Sequence, residues 1–301
     1  MFIRFYLAAI SLAVAFATPA LAAEKPNVVA SIRPVHSLVA AVMGDAGAPA
    51  LIVTDAGSPH NFVLKPSAAR ALERAHIVFW VGPGLETFLK MPVENLSRNA
   101  VSVELGSDMA MTLLPVRGEY DVHGHGKSEH QMDLHIWLDP KNAIAMTRRI
   151  ARELASIDHT RGDDFRRNAD KTIKRLESLT SEIETVLAPV RGARFAVHHD
   201  SFQYFENRFG LNYTGALLMD LQAGASLKRI SHLAKKLAQD GTKCIFAEPQ
   251  FNSKLAKKLA KSAGASLGIL DPMGVAFTPG TELYFEMMES NALAFKRCLS
   301  D

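Results

Sequence analysis

Short runs of apolar and β-branched residues recur along this chain, and between them apolar positions fall three and four residues apart. Eight of the runs read as strands: 28–32, 50–53, 77–81 and 101–105, then 195–198, 214–218, 244–247 and 267–270. Four and four predicts two similar sheets. Between the two sets lies a long helical stretch. Asp139 followed by Pro140 is an N-cap with proline at the first helical position. Ile144, Thr147, Ile150, Leu154 and Ile157 then keep helical spacing, and the pattern breaks over 158–163. It resumes with Phe165, Ala169, Ile173, Leu176, Leu179, Ile183 and Leu187 and stops at Pro189 and Gly192. Roughly 25 residues of helix measure about 37 Å, enough to run the length of a small lobe. No Gly/Ser-rich linker accompanies it, so it reads as a rigid strut.

The expected fold class is therefore α/β: two lobes, each a small, mostly parallel sheet flanked by helices, joined by one long rigid helix. A chain of 301 residues has room for about two domains. The expected divisions are a leader over 1–22, an N-terminal lobe over 23–160, the connecting helix over 161–190 and a C-terminal lobe over 191–301.

The leader carries the marks of a secretory signal peptide. Arg4 stands near the start, 6–18 is almost wholly apolar, and Ala20-Leu21-Ala22 is a small-x-small cleavage signal. The apolar run is short for a bilayer span, so cleavage after Ala22 and residence in the periplasm are expected. The formal charge of +3 is close to balanced. Lysine pairs such as Lys235-Lys236 and Lys257-Lys258 read as solvated helix faces, not as a nucleic-acid footprint. Two cysteines, Cys244 and Cys298, suggest one disulfide in an oxidising compartment. A cysteine metal site is the weaker alternative, because no CxxC spacing occurs.

Three histidines sit in short blocks that aim a side chain: Ser58-Pro59-His60-Asn61-Phe62, Asp133-Leu134-His135-Ile136-Trp137-Leu138-Asp139-Pro140, and His198-His199-Asp200-Ser201-Phe202. Proline stiffens the first two. The three lie so far apart in sequence that only tertiary folding unites them. His60 follows the second predicted strand, His199 ends the fifth, His135 precedes the helix at Pro140, and Asp271 follows the eighth strand. Ligands of open α/β sheets bind beyond the carboxyl ends of strands, so these four converge on a cleft between the lobes. Three neutral imidazoles and a carboxylate suit zinc in four-coordination. Taken singly, each histidine also fits an ordinary polar turn, and Asp271 fits a cap ahead of Pro272. His36, His76, His159 and His232 read as helix-start or surface residues, and His198 as turned away from His199. A polar, glycine-bearing segment over 118–130 adds His123, His125 and His130.

Several blocks, together and in order, resemble a known family: Ser58-Pro59-His60 with Lys65-Pro66-Ser67; Val81-Gly82-Pro83-Gly84-Leu85-Glu86-Thr87-Phe88; His135-Ile136-Trp137-Leu138-Asp139-Pro140; His199-Asp200-Ser201-Phe202-Gln203-Tyr204-Phe205; and Phe246-Ala247-Glu248-Pro249-Gln250-Phe251. The chain is similar to the periplasmic zinc-binding proteins of high-affinity metal ABC transporters, the ZnuA-type branch of the TroA-like fold. The resemblance covers nearly all of residues 23–301. It implies a two-lobed receptor that carries Zn2+ as transported ligand, held between the lobes by His60, His135 and His199. Asp271 matches a carboxylate that some members use as fourth ligand, and Cys244 and Cys298 match a disulfide of zinc-type members. The implied partner is a membrane permease, with an auxiliary periplasmic zinc chaperone as a further candidate, and the receptor is expected to act as a monomer. In manganese-type relatives a glutamate stands where His199 is, and nitrogen there favours zinc. Some zinc-type members carry a glutamate just before the first histidine. Pro59 stands there instead, which leaves Asp271, water or Glu86 for the fourth position. The segment with His123, His125 and His130 is a short version of the family's histidine-rich loop, an auxiliary weak site.

Three rival functions compete with that reading. A zinc hydrolase would also use three histidines and an open position, but no HExxH occurs. His123-Gly124-His125 begins like a metallo-β-lactamase motif and then departs from it at Lys127 and Ser128, so no enzyme activity is expected. A lipid-anchored adhesin would need a cysteine at the cleavage site, where Ala20-Leu21-Ala22-Ala23 stands. A manganese or iron receptor of the same fold is the third rival.

Overall fold

The computed structural model describes residues 25–55, 57–117, 132–218 and 227–300, the side chains of 227–229 excepted. The signal-peptide expectation for 1–22 lies outside these residues.

The N-terminal lobe contains β1 (Val28–Ala30), α1 (Arg33–Met43), β2 (Ala50–Leu51), α2 (Pro66–Glu73), β3 (Ile77–Trp80), α3 (Lys90–Leu96) and β4 (Val101–Glu104). Then come α4 (Pro140–Ile157) and α5 (Gly162–Leu187). The C-terminal lobe contains β5 (Arg194–His199), α6 (Gln203–Phe209), β6 (Asn212–Leu218), α7 (Leu227–Gln239), β7 (Cys244–Ala247), α8 (Lys254–Ala263), β8 (Ser266–Ile269) and α9 (Leu283–Ser300). All described strand pairs are parallel, in the orders β2-β1-β3-β4 and β6-β5-β7-β8. Strands covered by helices on both faces read as unbroken apolar runs, which is why β3 and β7 are buried along their whole length.

Each sheet thus repeats one plan, with the second strand at an edge and growth reversing between the first and third. Beyond the carboxyl ends of strands, that reversal leaves a crevice where ligands bind. In the N-terminal lobe the buried Glu86 carboxylate occupies it, accepting from the Ser31 hydroxyl and from the backbone N–H of Val81 (3.3 Å) and Gly82 (2.9 Å). In the C-terminal lobe it lies between His199, which ends β5, and Glu248, which follows β7.

The strut is α5, 26 residues long, and its buried stripe includes all seven apolar residues named from the periodicity. It packs against α1, α4 and α9, so it holds elements of both lobes along its length. Asp139 caps α4 by accepting from Lys141 N–H (2.9 Å) and also receives both arms of Arg208 (2.6 Å each). One core of buried side chains runs through both lobes and the strut. Polar contacts add to it: Trp137 Nε1–H donates to the Pro272 carbonyl (2.7 Å), Tyr284 O–H donates to the Trp137 carbonyl (2.7 Å), and Arg33 reaches the carbonyls of Thr54 (2.7 Å) and Phe277 (3.2 Å). Cys244 and Cys298 are joined by a disulfide that ties α9 to β7. Among the described residues no helix is long and apolar enough to cross a membrane.

Candidate metal centre

Each of the three histidines is held by local structure that its sequence block supplies. His60 lies in the loop after β2, where its N–H donates to Ser58 Oγ (3.3 Å). An ion pair between Lys65 and Asp55 (2.5 Å) closes the base of this loop, and Phe62 anchors it against the Phe88 ring at 5.1 Å. His135 follows a stem in which Pro115 and Met132 form an antiparallel bridge. Tyr204 braces that stem, its hydroxyl donating to the Asp133 carbonyl (2.7 Å) and accepting from Leu114 N–H (2.9 Å). His199 ends β5, and its N–H donates to Glu248 Oε1 (3.2 Å).

The fold brings the three rings together. Centroids are 5.4 Å apart for His60–His135, 5.4 Å for His60–His199 and 4.9 Å for His135–His199. One ring nitrogen of each lies within 4.8 Å of the others, and the Nε2 atoms of His60 and His135 are 3.3 Å apart. Two nitrogens bound at 2.0–2.1 Å to one tetrahedral ion stand about 3.3–3.4 Å apart, so this pair already has the spacing of two zinc ligands. Ser58, Pro59, Trp137, Glu248, Gln250, Phe251, Pro272 and Met273 complete the walls of a cavity of about 10 Å³. That is about the room one water needs, and it suits a single ion.

Asp271 stands beside this group, not in it. Its carboxylate accepts from the N–H groups of Met273 (3.1 Å) and Ala276 (3.2 Å) and from Gln250 Nε2 (2.9 Å). It braces the loop that carries Pro272 and Met273 into the cavity wall. Glu86 is engaged by Ser31, Val81 and Gly82 as described, and burial pushes its carboxyl up to about 7 against those hydrogen bonds. His123, His125 and His130 lie outside the described residues. His198 turns from the cavity and stacks on Phe251 (centroids 5.1 Å, planes 13° apart), while Phe251 meets His199 edge-on at 5.9 Å.

Two carboxylates that received no role from sequence stand directly behind the rings. Asp133 Oδ1 accepts from His135 Nδ1 (2.7 Å) and from its backbone N–H (2.9 Å). The ring proton is thereby fixed on Nδ1 and the Nε2 lone pair is left for a metal. Glu248 Oε2 lies 3.8 Å from His199 Nδ1 and faces it in the same sense. An acid two residues before a ligand histidine, and one directly after a central parallel strand at the sheet's reversal, were the available signals.

Burial disfavours a charged imidazole, and the two neighbouring rings add to this, so His60 is pushed down to about 3. For His135 burial also opposes the charge, but Asp133 outweighs it and the ring titrates above its ordinary value, with Glu248 and Asp200 adding to the rise. The carboxylates of Asp133 and Glu248 thus stand directly behind the rings, a field that attracts a dication. Asp133→Asn keeps the shape but loses the full charge. Zinc affinity is expected to fall about 10–100-fold, as for other changes behind a ligand histidine. Calorimetry on a variant with unchanged melting checks this, and wild-type affinity would remove Asp133 from the account.

The family model for ZnuA, described as zinc-uptake complex component A, periplasmic, matches residues 28–298. The high-affinity zinc uptake system protein ZnuA of Brucella suis biovar 1 (strain 1330) is 37% identical over 317 residues, covering 95% of this chain and 95% of the relative. A crystal structure of a ZnuA deletion mutant with zinc bound superposes with a TM-score of 0.79 at 22% identity, covering 92% of this chain and 99% of that one. The solute-binding protein FpvC of Pseudomonas aeruginosa in complex with Mn2+ gives 0.81 at 21%, covering 92% and 99%. At such identities the two structures speak for the fold alone. With the family match spanning 28–298 and the Brucella relative spanning nearly the whole chain, this chain belongs to the ZnuA family of periplasmic zinc-uptake components.

Proposed function

We propose that the chain is a periplasmic receptor that captures Zn2+ between its lobes through His60, His135 and His199. It then delivers the ion to the membrane permease of an ABC transporter. The observation that carries this is the 3.3 Å separation of the His60 and His135 Nε2 atoms, with His199 completing the triangle. Water takes the fourth position, since Asp271 is committed to its own loop. Cleavage after Ala22 releases the receptor as a monomer, and His123, His125 and His130 hold a second zinc only weakly, because ordering a glycine-bearing loop costs entropy. The same fold accepts manganese in another protein, so donor chemistry has to set the choice. Three imidazoles are a soft set that suits zinc and leaves manganese short of oxygen ligands.

Titrating the metal-free protein with each metal in a calorimeter tests this. One tight zinc site is expected, with manganese at least about 100-fold weaker. Equal or tighter manganese binding would transfer the protein to a different metal. No enzymatic step is assigned to the cavity.

A further inference from the structure

We propose that the outer face of the C-terminal lobe, formed by α7 and α8, docks the protein on a membrane surface rich in anionic phospholipid. Residues 228–261 hold nine lysines and arginines against two acids, a net +7, in a chain whose formal charge is +3; the other 267 residues therefore sum to −4. Only one of the two acids offsets a charge of the face. Asp240 is paired with Lys236 at 2.8 Å, and Glu248 is 4% exposed at the metal centre. The molecule is thus electrically polarised, with its positive pole on one pair of helices.

Helix periodicity concentrates this charge. On α8, Lys254, Lys257, Lys258 and Lys261 fall at spacings of three, four and seven and are all exposed. The opposite side buries Ala256, Leu259 and Ala260 against Leu217, Ile245 and Ala247 of the sheet. On α7, Lys235 and Lys236 are exposed while Leu233 and Leu237 enter the same apolar cluster. The two helices pack side by side, so their lysines share one face. Among the described residues, no carboxylate lies within ion-pair distance of Lys235, Lys254, Lys257, Lys258 or Lys261.

The chemistry of the face selects its partner. Shape-specific protein contacts centre on aromatic or arginine anchors; α8 contains neither, and α7 contributes a single arginine, Arg229. Lysine is a hydrated point charge on a flexible stem, suited to a plane of mobile anionic headgroups whose positions need no fixed geometry. Attraction of this kind is reversible and vanishes beyond a Debye length. It would confine the protein to two dimensions beside the membrane without anchoring it.

Sedimentation with vesicles of phosphatidylcholine alone and of phosphatidylcholine with one third phosphatidylglycerol tests the proposal. Binding is expected only to the anionic vesicles, weakening at least about tenfold between low and physiological salt. A variant with Lys254→Gln, Lys257→Gln, Lys258→Gln and Lys261→Gln should lose at least about tenfold of that binding while its melting temperature and zinc affinity stay those of the parent. A control with Lys141→Gln, Lys171→Gln and Lys174→Gln should bind vesicles as the parent does. Absent binding to anionic vesicles at low salt, or equal binding by the parent and the α8 variant, would overturn the proposal. Binding confined to an acidic polypeptide such as polyglutamate would assign the face to a protein partner and equally overturn it.

Discussion

Replacing His135 with alanine weakens zinc binding by more than about 100-fold, beyond the loss that follows from disturbing a residue behind a ligand. His135 is buried, aimed by Asp133 through two hydrogen bonds, and placed 3.3 Å from the Nε2 of His60. Its removal leaves two nitrogens, the Asp133 carboxylate without its partner, and a space into which only water fits. Asp271→Asn serves as the contrast. It disturbs a loop brace and should change zinc affinity only a few-fold, because Asp271 is outside the triangle. Proton competition gives a second readout. Zinc needs unprotonated imidazoles. Burial and the neighbouring rings hold His60 at about 3, so no proton contests it near neutrality. His135 lies above its ordinary value, so zinc affinity is full above that raised value and falls as pH drops through it. In Asp133→Asn the fall should move to lower pH, because the carboxylate that raises His135 has lost its charge. Calorimetry across pH on the three proteins separates these effects. Affinity in His135→Ala within a few-fold of the parent would remove His135 from the ligand set.

Opening the Cys244–Cys298 disulfide, by changing both residues to serine, destabilises the metal-free protein by about 2–4 kcal/mol. The link closes a long loop that contains β7, α8, β8 and most of α9. Cross-linking such a loop restricts the unfolded chain, and the chain-entropy argument puts its value near 4 kcal/mol. The folded side points the same way. Cys298 sits on the helix that presents Phe295 to Phe195 (5.0 Å), Phe246 (4.8 Å) and Phe205 (5.4 Å). Freeing the end of α9 therefore loosens the aromatic core of the C-terminal lobe. Denaturant melts of the parent and the double serine variant measure the difference. Zinc should still bind to the folded variant, since neither sulfur lines the cavity. Equal stability of the two proteins would show that α9 is held by packing alone.

The strands and the strut were legible because their signals are local. The central parallel strands β3 and β7, covered on both faces, carry unbroken apolar runs, and the strut carries a stripe at spacings of three and four. The ends were less so. The sequence extends the first strand to residue 32 and the second to 53, whereas β1 stops at Ala30 and β2 at Leu51. Apolar content continues past both ends because Ile32, Ile52 and Val53 stay buried, and the N–H groups of Ile52 and Val53 still donate to the carbonyls of Ala30 and Ser31.

At the metal centre, the histidines were legible from their stiff blocks and their positions after strands. Asp271 is ambiguous in sequence, because a carboxylate after a strand and before Pro272 suits a loop brace as well as a ligand. Only the contacts of its two oxygens separate the two roles. Asp133 and Glu248 were invisible for the complementary reason: what they do depends on which ring they face, and that pairing joins β7 to β5 and the stem to the short 3₁₀ turn Ile136–Leu138 before α4. Within one helix, the lysines of α7 or α8 look like an ordinary solvated face. Their sharing of a face depends on α7 lying beside α8, which periodicity within either helix does not reveal.

An anomalous-difference map from crystals of the zinc-loaded protein, collected on both sides of the zinc absorption edge, is the most direct test of the central claim. The account predicts one strong peak between the lobes, bonded to one nitrogen each of His60, His135 and His199 at about 2.0–2.1 Å, with the His135 bond through Nε2. A principal peak elsewhere, or one lacking any of these three histidines, would contradict it.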